Sequence, residues 1–153
     1  MTVGMIDANL LTLWIVGQVS EVEVPRCRRT RAYSITDYRL LAGYVSRFDQ
    51  LLILPNIATQ ASDLLGVLHG EYLTRARQIL AAGLAVWNEQ YVASAQASAW
   101  PDYARLGLTD AAILLSAVRE TEVLTDDFEL YRSLSERGVR ATNFTHIRSQ
   151  TWD

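Results

Sequence analysis

Short runs rich in apolar residues alternate with segments of helical period along this chain, and this alternation constrains the fold more than any other feature of the sequence. The runs are Val3–Ile6, Leu51–Leu54, Glu122–Leu124 and Val139–Thr142. Strands that alternate with helices pair in parallel and are covered by helices on both faces. We therefore expect a three-layer α/β/α fold with a central, mostly parallel sheet.

The spacing of apolar residues predicts helices between these runs. They are expected over Leu10–Val16, from Thr36 to Phe48, over Ile57–Leu68, over Tyr72–Trp87, from Thr109 to Val118, and from Asp127 up to Gly138. A polar turn, Asp7-Ala8-Asn9, should precede the first helix, and Thr109 should cap the helix that it begins. We expect a loop over Gln18–Ser34 and a brief strand at Tyr91-Val92.

The size and composition of the chain fit a single domain. With 153 residues, half of them apolar, it can bury one sizeable core, and we expect one domain over residues 1–153. Its apolar runs, such as Ala111–Leu115, are far shorter than the roughly 20 residues that span a bilayer. We therefore expect a soluble, cytoplasmic protein with no membrane association. The single cysteine, Cys27, can form neither an internal disulfide nor a cysteine-based zinc site.

All 14 basic residues are arginine. The absence of lysine excludes the P-loop NTPases and Schiff-base chemistry, because both need a lysine side chain. The net charge of -3 repels nucleic acid on average, so such a partner would need a local basic patch or a bound cation. Arg28, Arg29 and Arg31 form a candidate patch for RNA phosphates, although arginines are also common in exposed loops.

Aspartates occupy positions where the ends of parallel strands meet. Asp7 follows the first run, Asp110 begins a helical segment, and Asp126 and Asp127 follow a later run. Residues just after parallel strands converge at one edge of a sheet, where ligands bind. Carboxylates gathered there repel one another unless a cation compensates them, and oxygen ligands favour Mg²⁺ or Mn²⁺. The simpler alternative is that Asp110, Asp126 and Asp127 stabilise helix N-termini, whereas Asp7 ends an apolar strand and is harder to explain in that way.

Four motifs occur in order along nearly the whole chain, at Ile6–Leu11, Leu54–Gln60, Gly107–Ala112 and Leu124–Leu130. In this order and approximate spacing they resemble the PIN domains, a family that includes the ribonuclease toxins of bacterial toxin-antitoxin pairs. The resemblance implies a Mg²⁺- or Mn²⁺-dependent phosphodiesterase with RNA as substrate. It also implies a small antitoxin protein as partner and a homodimer.

The resemblance assigns roles to individual residues of this chain. Asp7, Asp110 and Asp127 match the metal-binding catalytic aspartates, and Asp126 is an adjacent reserve ligand. Gln60 departs from the family pattern, because it stands where a glutamate is expected. Glutamine keeps an oxygen ligand of the same size but loses the negative charge.

Three explanations of Gln60 remain open at the level of sequence. Asp63, three residues further along the same helix, can supply the missing carboxylate. Alternatively, the site holds one metal ion instead of two. A third explanation is that the glutamate was replaced deliberately, because an active ribonuclease toxin harms the cell that expresses it.

Polar neighbours of the aspartates are candidate supporting residues. Asn9, Thr109 and Thr125 can orient carboxylates or hold metal-bound water, and they can also act only as helix caps. The main hypothesis is hydrolysis of RNA by an activated water molecule. Its alternatives are an RNA- or protein-binding module with a degraded site and, less compatible with so short a chain, a DNA or flap nuclease.

Overall fold

Five parallel strands form one sheet in the computed structural model, which describes residues 1–150 of the chain; residues 151–153 of the predicted domain lie outside the described residues. The strands are β1 (Val3–Ile6), β2 (Gln50–Ile53), β3 (Asn88–Glu89), β4 (Thr121–Thr125) and β5 (Arg140–Asn143). Their order across the sheet is β3-β2-β1-β4-β5, and each neighbouring pair is parallel. The predicted three-layer α/β/α fold is therefore confirmed.

Helices flank the sheet and separate the strands along the chain. They are α1 (Ala8–Val19), α2 (Ile35–Val45), α3 (Pro55–Leu65), α4 (Gly70–Leu84), α5 (Ser94–Ser98), α6 (Tyr103–Leu106), α7 (Leu108–Ser116), α8 (Phe128–Glu136) and α9 (Phe144–Ser149). The first helix is almost entirely buried, because it packs against α2, α3 and α4. No helix within residues 1–150 is long and apolar enough to cross a membrane.

The centre of the sheet places the first aspartate. β1 pairs with β4 in a register that sets Ile6 opposite Leu124, and Met5 and Val123 are fully buried in the core. The backbone N–H of Asp7 donates to the carbonyl of Leu124 at 3.1 Å, so the pairing continues one residue past β1. Asp7 is thereby held at the carboxyl end of the two central strands.

Two predicted helix starts differ from the structure. The expected turn Asp7-Ala8-Asn9 is wrong, because α1 begins at Ala8 and the Asp7 side chain itself caps this helix. Thr109 is not a cap either, since α7 begins at Leu108 and its N-cap is Gly107. Gly107 has φ +90°, a conformation that residues with a Cβ rarely adopt, so the backbone rather than a threonine side chain begins this helix.

The sheet edge and the short helices were not predicted correctly. β3 lies at Asn88–Glu89 and pairs with Leu52 and Ile53 of β2, whereas the strand was expected at Tyr91-Val92. The five residues of α5 fall in a stretch for which the sequence predicted no element, and α6 and α9 were not expected. The segment expected as a loop over Gln18–Ser34 contains the end of α1 and a 3₁₀ turn at Glu21–Glu23.

Candidate functional site

A cleft of about 450 Å³ lies at the carboxyl ends of the central strands. Most of the residues singled out in the sequence line it: Asp7, Asn9, Gln60, Asp63, Thr109, Asp110 and Asp127. They come from the end of β1, from α3, from the first turn of α7 and from the start of α8. Asp7 and Asp127, which follow two parallel strands and are more than 100 residues apart in sequence, therefore meet in one cleft as expected.

Asp7 is buried and fixed by three hydrogen bonds. Its Oδ1 accepts from the backbone N–H of Leu10 at 3.0 Å, which caps α1. Its Oδ2 accepts from the hydroxyl of Thr125 and from the backbone N–H of Asp126, the latter at 3.0 Å. Burial raises the pKa of the Asp7 carboxyl, and these hydrogen bonds oppose that increase by stabilising the charged form.

Asp110 lies in the same cleft without a hydrogen-bond partner among residues 1–150. Its carboxyl is partly buried in the first turn of α7. Burial is the largest cause that raises its pKa, to about 7, and the negative charges of Asp127 and Asp7 raise it further. The carboxyls of Asp127 and Asp7, from two other segments, are therefore close enough to Asp110 to act on it electrostatically.

Asp127 is exposed and caps α8. Its Oδ1 accepts from the backbone N–H groups of Glu129 at 2.9 Å and Leu130 at 3.2 Å. Its own backbone N–H donates to the hydroxyl of Thr125 at 3.0 Å. The cap leaves Oδ2 of Asp127 available to the cleft. Thr125 thus connects Asp7 and Asp127. It is not the cap of α8, as its sequence position allowed, because Asp127 fills that role.

Gln60 and Asp63 are exposed, and both line the cleft from α3. They are three residues apart, so they lie on neighbouring turns of one helix face. This placement is what the first explanation of Gln60 requires, since Asp63 brings a carboxylate to the same wall. Asn9 and Thr109 also line the cleft, but neither forms a hydrogen bond to Asp7 or Asp110 within the described part of the chain.

Asp126 is not among the residues that line the cleft. Its two carboxylate oxygens accept hydrogen bonds from the hydroxyls of Tyr33 and Thr145. Its backbone N–H donates to Asp7. Burial is the main cause that raises the pKa of the Asp7 carboxyl, and the charge of Asp126 adds to it, so the two residues lie close together. The sequence named Asp126 as a reserve ligand, but its carboxylate is bound by Tyr33 and Thr145 and does not line the cleft.

Tyr33 and Thr145 are contacts that the sequence did not reveal. The hydroxyl of Tyr33 reaches a residue 93 positions away, and burial together with Asp126 and Asp7 raises its pKa far above the ordinary range. The guanidinium of Arg148 lies 4.8 Å from the centre of the Tyr33 ring and donates to Asp37 at 2.7 Å. No local sequence pattern marks such long-range partners.

The predicted RNA-binding arginines lie outside the cleft lining. Arg28, Arg29 and Arg31 are exposed on the segment between α1 and α2. Their side chains are accessible to an external phosphate, and their role in RNA binding stays a prediction.

The residues of the cleft fit a hard divalent cation only in part. Within residues 1–150, no group of three or more carboxylate, histidine or cysteine side chains is arranged to hold a metal ion. Both oxygens of Asp7 accept hydrogen bonds from the protein, and a carboxylate has about four lone-pair sites, so these bonds do not prevent Asp7 from binding a cation. The cleft oxygens that accept no hydrogen bond within residues 1–150 include those of Asp110, Oδ2 of Asp127 and the amide oxygen of Gln60. This all-oxygen set suits Mg²⁺ or Mn²⁺, and a cation would relieve the repulsion that acts on Asp110.

No protein-family model, curated protein or solved structure matches the chain. Its function must therefore be argued from the chemistry of the cleft.

Proposed function

We propose that this protein is a Mg²⁺- or Mn²⁺-dependent endoribonuclease, similar to PIN-domain toxins, with its active site in the cleft at the carboxyl ends of β1 and β4. One observation carries the proposal. Asp7, Asp110 and Asp127 come from distant segments to one cleft, where burial and then the charges of Asp127 and Asp7 raise the pKa of Asp110 to about 7. Structural carboxylates are seldom collected in this way without a cation to balance them.

In the proposed reaction, Asp110 and Asp127 would hold the cation and Gln60 would contribute a neutral oxygen. The bound cation would lower the pKa of water and stabilise the leaving oxygen of the phosphodiester. Asp7 is fixed by Thr125 and by the backbone, so its charge is held at the base of the cleft. No serine, cysteine, histidine or lysine is among the described residues that line the cleft, and its one hydroxyl, that of Thr109, is hydrogen-bonded to no base within residues 1–150. This favours attack by water without a covalent intermediate.

Gln60 should make this chain a weak enzyme. Loss of one carboxylate lowers the attraction for a cation, and the removal of even an indirect metal partner typically costs about 10- to 100-fold in affinity or activity. Because Gln60 is exposed on α3, a glutamate fits at this position without repacking. We therefore expect Gln60→Glu to increase activity without changing the fold.

The test compares the wild-type chain with Gln60→Glu on single-stranded RNA, in Mn²⁺ and in chelator. We expect Mn²⁺-dependent cleavage that rises about 10- to 100-fold in the glutamate variant. Asp110→Asn is the matched negative control, because it removes one charge and keeps the size of the side chain. Absence of cleavage of any RNA by both the wild-type chain and Gln60→Glu would defeat the proposal.

The resemblance to toxins extends the proposal to partners and location. We propose a cytoplasmic homodimer that is inhibited by a small antitoxin encoded beside it. The mass of the purified protein by light scattering tests the dimer, and co-purification with the product of a neighbouring reading frame tests the inhibitor. A monomer would refute the proposed dimer. A neighbouring gene product that leaves RNA cleavage unchanged would refute the proposed inhibitor.

A second candidate is an RNA- or protein-binding module that has lost catalysis. The observations that favour it are Gln60 and the absence, within residues 1–150, of an assembled group of three metal-binding side chains. Calorimetric titration with Mn²⁺ separates the two candidates. Binding that Asp110→Asn abolishes supports the enzyme, whereas no binding to either protein supports the module.

A further inference from the structure

A second cavity of about 480 Å³ adjoins the acidic cleft. The two cavities share Gln60 and Thr109, which line both of them. One wall of the second cavity is the start of α3, with Asn56 and Thr59, and the other is the segment after β3, with Tyr91 and Ser94. A ligand that lies in the acidic cleft can therefore extend past Gln60 and Thr109 into this space.

The two cavities differ in charge. Four aspartates line the acidic cleft, whereas no charged side chain lines the second cavity among the described residues. Its polar groups are amides and hydroxyls. The amides of Asn56 and Gln60 form no hydrogen bond to another residue within residues 1–150, so their donors and acceptors are available to a ligand. This chemistry suits the uncharged edge of a nucleobase better than a phosphate.

Tyr91 adds an aromatic surface to the second cavity. It is 75% exposed, far more than the other tyrosines that remain accessible, Tyr72 at 40% and Tyr103 at 38%. Its hydroxyl donates to the carboxylate of Glu89, which restrains the ring beside the cavity. Exposed aromatic rings that border polar grooves are the platforms on which unpaired bases stack.

We infer that the second cavity is a nucleobase subsite for single-stranded RNA: one unpaired base stacks on Tyr91, and Asn56 and Gln60 bind its edge. This inference rests on the proposed function, because the acidic cleft supplies the position of the adjacent phosphate. A base in a duplex is stacked and paired, so only an unpaired base can enter. Gln60 would use its amide oxygen for the cation and its amide N–H for the base, so Gln60→Glu would strengthen the first contact and remove the second.

The experiment measures the binding of a fluorescent ten-nucleotide single-stranded RNA in Ca²⁺, an oxygen-binding cation that balances the charge of the acidic cleft, together with its cleavage in Mn²⁺. Tyr91→Ala should weaken binding about 5- to 100-fold, the range expected for the loss of one base stack, and Tyr91→Phe should retain it. Tyr72→Ala is the matched control, since this exposed tyrosine lines neither cavity. A series of RNAs, each lacking the base at a different position, identifies the bound base. Loss of the base at one position should weaken binding to the wild-type chain and should not change binding to Tyr91→Ala.

The outcomes separate the inference from the proposed function. If the wild-type chain cleaves RNA and Tyr91→Ala binds like the wild type, the subsite is overturned and the nuclease stands. If no RNA is cleaved but binding depends on Tyr91 and on one base, the nuclease is overturned and the subsite is supported. If RNA is neither bound nor cleaved, both are overturned.

Discussion

Replacement of Asp110 by asparagine should stabilise the metal-free protein, and the gain should grow with pH. The carboxyl of Asp110 has an ordinary pKa of 3.8 and a folded-state pKa of about 7, raised by burial and then by Asp127 and Asp7. Between these two values the folded protein holds a proton that the unfolded chain has lost. The free energy of unfolding therefore falls as the pH rises from about 4 to about 7, and it has no further dependence on Asp110 above that range.

The size of the effect follows from the difference between the two pKa values. Each pH unit corresponds to about 1.4 kcal/mol, so the full difference corresponds to about 4 kcal/mol. Because this side chain remains partly accessible to solvent, we halve this figure to about 2 kcal/mol. Asparagine has nearly the same shape and no charge, so Asp110→Asn should gain this amount at pH 8 and progressively less towards pH 4.

Urea unfolding of the two proteins in chelator, from pH 4 to pH 8, measures the effect. With a slope of about 2 kcal/mol per molar urea, a difference of 2 kcal/mol moves the midpoint by about 1 M. Asp63→Asn is the control, because it removes an exposed carboxylate from the same cleft and changes the net charge equally. Midpoints of wild type and Asp110→Asn that change in parallel with pH would show that burial and the neighbouring carboxyls do not raise the pKa of Asp110 as described.

Addition of Mn²⁺ should reverse the order of stability at pH 8. A cation that binds only the folded protein at 100 times its dissociation constant stabilises it by about 2.7 kcal/mol, and Asp110→Asn should lose most of this gain. An equal stabilisation of both proteins would place the cation elsewhere.

Two further predictions concern the packing and the hydrogen bonds behind the site. Gly17→Ala should destabilise the protein by about 1 to 3 kcal/mol, because the new Cβ would lie 2.1 Å from the Tyr38 ring. Thermal unfolding followed by circular dichroism measures this loss. Gly43→Ala is the control: its Cβ would have nothing within 4 Å, so it should be neutral or slightly stabilising. Thr125→Val should lower the free energy of unfolding in urea by about 1 to 3 kcal/mol, because it removes the hydroxyl that donates to buried Asp7. Thr125→Ser keeps a hydroxyl, so an equally large loss in that variant would show that the hydrogen bond is not the cause.

The central part of the fold could be predicted because its signals are local. Val3–Ile6 is a run of apolar residues followed by an acid, and β1 has these same bounds. The helix expected from Thr36 corresponds to α2, which begins one residue earlier because Ser34 and Asp37 form a capping box. The edge strand β3 could not be predicted, because Asn88 and Glu89 are exposed and polar, and only their pairing with Leu52 and Ile53 makes them a strand.

The same distinction applies to the cleft. Position after parallel strands was enough to predict that Asp7 and Asp127 line one cavity, since such strands end at one edge. Asp110 follows α6 instead of a strand, so this rule does not explain its position in the cleft. The rule also could not predict which of the adjacent aspartates after β4 faces the cleft. That choice depends on Tyr33 and Thr145, which bind the side chain of Asp126 from distant parts of the chain.

The double duty of Asp7 has a consequence for how such a site can change over generations. This carboxylate caps α1 and joins β1 to the segment after β4, so a mutation there damages the fold as well as the cleft. Gln60 is exposed on α3 and its side chain forms no hydrogen bond or ion pair among the described residues, so replacement there should leave the fold intact. A lineage released from selection for catalysis would therefore lose the acid at position 60 early and keep Asp7 long afterwards. In such a lineage, Asp7 would be retained because the fold needs it. The residue at position 60 would therefore indicate more reliably whether catalysis has been under selection.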